Sequence, residues 1–221
     1  MQRIYTTNTD QIVQDLVTLI TTARESSRPV LLLLSGGSNI ALAVKVINQL
    51  KPNEVPLHVG LIDERYGIDG HADSNWQQLL DAGLDTTGIK THPVLSGSVP
   101  HAQTSATYDA QLNQLLDSVD VSIGLLGIGT DGHTAGLLPY CPIAISERTV
   151  DFYTGPDYER ISLTRGGIAR LSNIFVVALG ETKWPALRQM ETGIDVDEIP
   201  ARIFNDMSAA TLYTDYKGGI L

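Results

Sequence analysis

Cysteine occurs once, at Cys141, so the chain forms no internal disulfide and holds no cysteine metal cluster. Its neighbours Tyr140 and Pro142 point to a structural position rather than a nucleophile. No apolar run approaches the ~20 residues needed to span a bilayer. The stretch from Met1 to Asp10 is polar and lacks a signal-peptide core, so a cytoplasmic location is expected. Positive charge is scarce: 15 Lys and Arg face 25 Asp and Glu, for a net charge of -10. That balance argues against nucleic acid or an anionic membrane as a partner. An anionic substrate would have to meet a local cluster of cations, which makes each Arg or Lys beside a glycine-rich turn informative. Internal repeats, low-complexity runs, linkers and a Walker pattern are all missing.

What is present is an ordinary globular composition, 221 residues with 43% hydrophobic and 18% charged, expected to form one domain over 1–221. Ile12, Leu16, Leu19 and Ile20 recur at helical spacing behind the candidate caps Asn8 and Thr9. Val30–Leu34 is an apolar run without alternation, the pattern of a strand covered on both faces. A helical pattern follows from Ile40 to Leu50. Further buried strands are expected at 57–62, 121–126 and 173–180, another strand at 160–164, and short ones at 93–95, 202–204 and 211–213. Helices are expected from Trp76, over 102–116 and after Lys183. Tyr140 to Glu159, broken by Pro142, Gly155 and Pro156, is less regular and would suit a flap. Strands alternating with helices predict an α/β fold with a mostly parallel sheet.

Three strand-to-helix turns carry the chemistry. Ser35-Gly36-Gly37-Ser38-Asn39 joins a strand to a helix; its glycines admit close backbone approach, and free amides at a helix start favour an anion. Asp63-Glu64-Arg65 ends a second strand. Asp63 is suited to positioning a hydroxyl or acting as a base, and Arg65 to pairing with an anion. The third and most informative turn is Gly127-Ile128-Gly129-Thr130-Asp131-Gly132-His133, which delivers an acid and an imidazole two positions apart where a parallel sheet receives its ligand. Its Gly-x-Gly-x-x-Gly lies mid-chain rather than in the first βα unit, so a dinucleotide is not implied. Lys183 sits at a similar strand-to-helix edge. Ser35 and Ser38 lack the Gly-x-Ser-x-Gly elbow of a serine nucleophile. His58, His71, His92, His101 and His133 show no ligand spacing, so no metal is expected.

Taken together, four segments resemble the 6-phosphogluconolactonase family and follow its order. They are Ser35–Ser38; Asp63-Glu64-Arg65 with Ser74-Asn75; Gly127–Ala135; and Arg160–Thr164 followed by Gly180-Glu181-Thr182-Lys183. The resemblance implies a three-layer α/β/α fold shared with glucosamine-6-phosphate deaminase and ribose-5-phosphate isomerase. It also implies hydrolysis of 6-phospho-D-glucono-1,5-lactone without a cofactor, by a monomer or small homo-oligomer. In that reading His133 is the general base, with Asp131 orienting it. The phosphate would be held by Ser35, Gly36, Gly37, Ser38 and Asn39 with Lys183, and by Arg65 or Arg160. The deaminases are the nearest alternative, but they usually carry tyrosine where Arg65 stands and a different run where Thr134-Ala135-Gly136-Leu137 stands. A non-catalytic phosphosugar sensor is the other alternative; it would need only the phosphate loop, not Asp131 with His133. Departures from the family are Asn39-Ile40 in place of Thr-Pro, Tyr140 in place of glycine, and Arg165-Gly166-Gly167 in place of a more apolar stretch.

Overall fold

The structure is a computed structural model, described here for residues 1–51 and 53–218. Its elements run β1 (Gln2–Tyr5), α1 (Thr9–Glu25), β2 (Val30–Leu34), α2 (Ile40–Gln49), β3 (Leu57–Leu61), β4 (Asp63–Arg65), α3 (Asn75–Asp81) and β5 (Lys90–His92). They continue with α4 (His101–Ser118), β6 (Val121–Gly127), β7 (Val150–Thr154), β8 (Glu159–Leu163), α5 (Arg165–Ala169), β9 (Asn173–Ala178), α6 (Trp184–Met190) and β10 (Ala210–Thr214).

Seven strands form one parallel sheet in the order β1-β10-β9-β6-β2-β3-β5. All five residues of β2 are fully buried. Successive side chains point to opposite faces, so both faces must be covered, as a parallel sheet flanked by helices requires. Burying each such leucine is worth about 1.5–3 kcal/mol. Helix α1 starts where expected: the Asn8 side chain accepts from the Asp10 amide at 2.9 Å and caps it.

The strand order places the site. From β2 the chain winds outward to β3 and β5, then returns across β2 to start β6 and winds the other way to β9 and β10. The neighbours β2 and β6 are therefore where the winding reverses, and a crevice opens beyond their carboxyl ends. Leu34 pairs with Leu125 at that edge. The two glycine turns leave the sheet just beyond it.

A second, antiparallel sheet, β4-β8-β7, stands at the same end. It revises several expectations. Asp63–Arg65 is a strand of this sheet rather than a charged loop end. Tyr140–Glu159 holds a 3-10 turn at Pro142–Ile145 and the whole of β7, which ties the segment to β8, so it is no free flap. Arg165-Gly166-Gly167 opens helix α5, because the Thr164 hydroxyl accepts from the Gly167 amide at 3.0 Å and caps it. The strand expected over 93–95 lies instead at Lys90–His92; Pro93 has no N–H to extend the ladder. Arg202–Phe204 falls in a 3-10 helix, Pro200–Asp206, begun by a proline suited to a first helical position. Strand β1 pairs with β10 from the far end of the chain and is an addition. Among the described residues no helix is long and apolar enough to cross a membrane.

Candidate active site

A cleft of about 340 Å³ opens beyond β2 and β6. Ser35, Gly36, Gly37, Ser38, Asp63, Arg65, His133, Arg160 and Lys183 all line it, so residues from every turn singled out in the sequence converge. Asn75 and Asp157 line it as well.

The turn after β6 is held by its own backbone. The Gly129 amide donates to the His133 carbonyl at 2.8 Å, and the Gly132 amide to the Gly129 carbonyl at 3.1 Å. Gly132 sits at φ +81, a left-handed conformation that glycine adopts without strain. Thr134, fully buried, donates its hydroxyl to the Gly127 carbonyl at 2.9 Å and closes the loop. Inside it, His133 Nδ1 and Asp131 Oδ1 lie 2.6 Å apart, and the same oxygen accepts from the His133 amide at 3.1 Å. The hydrogen bond to His133 holds the Asp131 carboxyl down at about 2, so it is charged at every working pH. Carboxylate on Nδ1 sets the tautomer and leaves the other ring nitrogen for substrate. Gly129 must lack a side chain, since a Cβ there would lie 2.1 Å from His133 Nδ1.

The turn after β2 is built differently. Gly37 has φ +64 with open space where a Cβ would go, while a Cβ on Gly36 would lie 1.9 Å from Asn75 Oδ1. Asn39 is placed behind this turn rather than on the cleft wall. It is buried, its amide donates to Ser35 Oγ at 3.2 Å, and its Nδ2 lies 3.3 Å from where a Gly127 Cβ would stand. Asn39 thus spaces the two glycine turns. Lys183 reaches the cleft from the 3-10 turn Glu181–Lys183 after β9. That turn is anchored by Asp215, which accepts from the Gly180 amide and the Trp184 ring.

The antiparallel sheet supplies the remaining corner. In its register Asp63 faces Ser162, Glu64 faces Ile161 and Arg65 faces Arg160. Glu64 is 0% exposed. Its carboxylate accepts from the Arg65 amide at 2.8 Å, the Ser74 hydroxyl at 2.9 Å, and the amides of Asn75 and Trp76 at 2.6 and 3.2 Å. Burial pushes this carboxyl above its ordinary value; the four donors pull it back. These donors seat the carboxyl at the N-terminus of α3, where helix amides favour an anion. It aims Asn75, whose Nδ2 donates to the Asp63 carbonyl at 2.8 Å and to Asp63 Oδ2 at 3.3 Å. Burial also pushes the Asp63 carboxyl up, against the opposing charges of Arg65, Arg160 and His133. Arg65 is steadied by a 2.9 Å bond from Nη1 to the Asp73 carbonyl.

The sequence alone does not single out Glu64, Asn75 or Asp157 as site residues. The Ser74-Asn75 pair is a helix-cap signal, and such signals are read as structure unless the carboxylate behind them is seen. Asp157 lies on the irregular stretch and carries no spacing that marks it. Among the other histidines, His58 Nδ1 and His92 Nε2 come within 2.9 Å across β3 and β5, and His101 stacks on Tyr66 and meets Phe152 edge-on; none of these three lines the cleft.

Comparison with known proteins adds an independent finding. The family model described as glucosamine-6-phosphate isomerases/6-phosphogluconolactonase matches residues 6–213. A 6-phosphogluconolactonase of Synechocystis sp. is 29% identical over 200 residues, covering 84% of this chain and 82% of that protein. A glucosamine-6-phosphate deaminase of Lactococcus lactis is 24% identical over 169 residues, covering 70% and 71%. The crystal structure of a 6-phosphogluconolactonase from Thermotoga maritima superposes with a TM-score of 0.81 at 20% identity, covering 96% of each chain. The solved structure of a 6-phosphogluconolactonase from Trypanosoma brucei gives 0.77 at 19%, covering 96% of this chain and 94% of that one. At such identities the superpositions speak for the fold.

Proposed function

The chain belongs to the glucosamine-6-phosphate isomerase/6-phosphogluconolactonase family, and on that premise we propose that it hydrolyses 6-phospho-D-glucono-1,5-lactone to 6-phosphogluconate. The observation that carries the reading is the Asp131–His133 pair, held at 2.6 Å on a glycine turn at the mouth of a cleft with three cations on its walls.

Hydrolysis of a lactone needs an activated water, stabilisation of charge on the carbonyl oxygen, and a proton for the ring oxygen that leaves. His133, fixed through Nδ1, takes the proton from water with its other nitrogen and returns it to the leaving oxygen. The charged Asp131 stabilises the imidazolium formed between those steps. The substrate's phosphate is met by the Ser35–Ser38 turn, Lys183 and the arginine pair Arg65 and Arg160, which is how a chain of net charge -10 holds an anion. Asn39 contributes from behind the turn as a spacer. Asp63, bonded by Asn75 and facing both arginines, is placed to accept from a sugar hydroxyl. The cleft draws on both sheets, so we read residues 1–221 as one functional unit. A deaminase is disfavoured by Arg65, which puts a cation where those enzymes carry tyrosine.

The test is turnover of freshly generated 6-phosphogluconolactone against its spontaneous decay, beside His133→Ala. The wild-type protein should hydrolyse it rapidly, and the variant should lose about 10²–10⁴-fold in kcat with its fold intact. Rapid turnover by the variant would remove His133 from the mechanism. Absence of turnover in the wild type, with deamination of glucosamine 6-phosphate, would move the chain to the other branch of its family.

A further inference from the structure

Arg65 and Arg160 stand directly opposite each other in the register of β4 and β8, and both line the cleft. Like charges in that relation repel. Two neighbours offset the repulsion. The Tyr158 ring centre lies 5.5 Å from each guanidinium carbon. Arg160 Nη2 donates to both carboxylate oxygens of Asp157 at 2.9 Å.

The two partners of this ion pair differ in exposure and in how they are anchored. The Arg160 side chain is 9% exposed and belongs to a strand, whereas Asp157 is 51% exposed and sits in the turn joining β7 to β8. That turn follows Gly155-Pro156 and keeps its shape through the Gly155 amide on the Tyr158 carbonyl, at 2.8 Å, with no need of the Asp157 side chain. Apart from Arg160, the carboxylate accepts, among the described residues, from the adjacent Tyr158 amide at 3.0 Å and from its own amide, both within the same turn. Asp157 can therefore swing away from Arg160 without breaking a strand.

We propose that Asp157 is a resident counter-ion that the substrate's phosphate displaces from Arg160, so that Asp157 sets the cleft's preference for phosphorylated ligands. The proposal rests on the reading of the cleft as a phosphosugar site. A phosphate dianion also gathers Lys183 and the Ser35–Ser38 turn, and so outcompetes a tethered carboxylate. A ligand without that charge leaves the ion pair closed. Asp157 thus weakens every anion somewhat and the singly charged ones most.

The experiment is calorimetric titration of inorganic phosphate into the wild-type protein, Asp157→Asn and Asp157→Glu, with KM and kcat for the phosphorylated lactone measured in parallel. D157N should bind phosphate about fivefold more tightly, the upper end for a half-exposed ion pair, and lower KM by a similar factor with kcat unchanged. D157E should behave as wild type. Phosphate binding that is unchanged or weaker in D157N would overturn the proposal, as would a D157E that matches D157N. The titration needs no turnover: tighter phosphate binding in a protein that fails to open the lactone would sustain this inference and sink the lactonase reading alone.

Discussion

The turn that carries Asp131 and His133 and the corner that carries Arg65 and Arg160 face the same cleft but are made in opposite ways. The turn spans a few residues, closes on its own backbone, and leaves its acid and imidazole about half exposed, at 48% and 38%. The corner joins strands remote in sequence and buries its charges: Glu64 is 0% exposed, Asp63 7% and Arg160 8%. A local turn can be altered at the cost of chemistry alone. The corner is part of the molecule's framework, so altering it costs stability and binding together.

That contrast can be broken experimentally. The largest effect beyond loss of His133 itself should come from Gly129→Ala, which puts a Cβ where the imidazole lies and pushes it off Asp131. A shift of that size costs on the order of 10²-fold in kcat; circular dichroism melting should show the fold retained. Should the variant unfold instead, the turn is not the self-contained element described above. Glu64→Leu tests the other side. It strands four donors at the start of α3 and should cost about 3 kcal/mol or more in urea denaturation. A near-neutral result would mean the corner is not framework.

Arg65→Ala should raise KM for the phosphorylated lactone about tenfold, the worth of one charge-assisted hydrogen bond, with a smaller change in kcat. An unaffected KM would leave Arg160 and Lys183 as the phosphate's cations. The smallest effect concerns pH. Asp131 titrates at about 2 in the folded protein, below its ordinary value near 3.8. A lowered carboxylate pKa adds stability that is fully present above about pH 4 and is lost as pH falls towards 2. Asp131→Asn should therefore flatten part of the acid limb of stability between those values. An identical limb in the variant would show that the pair contributes nothing to folding.

The same contrast explains what could be read in advance. β2 and β6 were legible because a buried run rich in β-branched and leucine residues has few other fates. The Asp131–His133 pair was legible because glycines at three nearby positions force a turn, and the turn keeps both residues together. The corner was legible only in part. Asp63 and Arg65 stood out as charged residues at the end of a strand, but only pairing with β8 turns Asp63–Arg65 into a strand and buries Glu64. Asp157 is one acid among 25 Asp and Glu, and nothing in its spacing tells that Arg160 lies beside it.

By itself, then, the amino-acid sequence determined the central parallel strands, the glycine turns and the Asp131–His133 pair that one of those turns carries. These depend on hydrophobic burial and on backbone conformations that neighbouring residues dictate. Tertiary structure alone decided that β2 and β6 adjoin at the reversal of winding, that Asn39 spaces two turns rather than lining the cleft, and that two arginines meet across an antiparallel register. Those outcomes depend on electrostatic and hydrogen-bond partners far along the chain, whose energies take effect only once folding has brought them within reach.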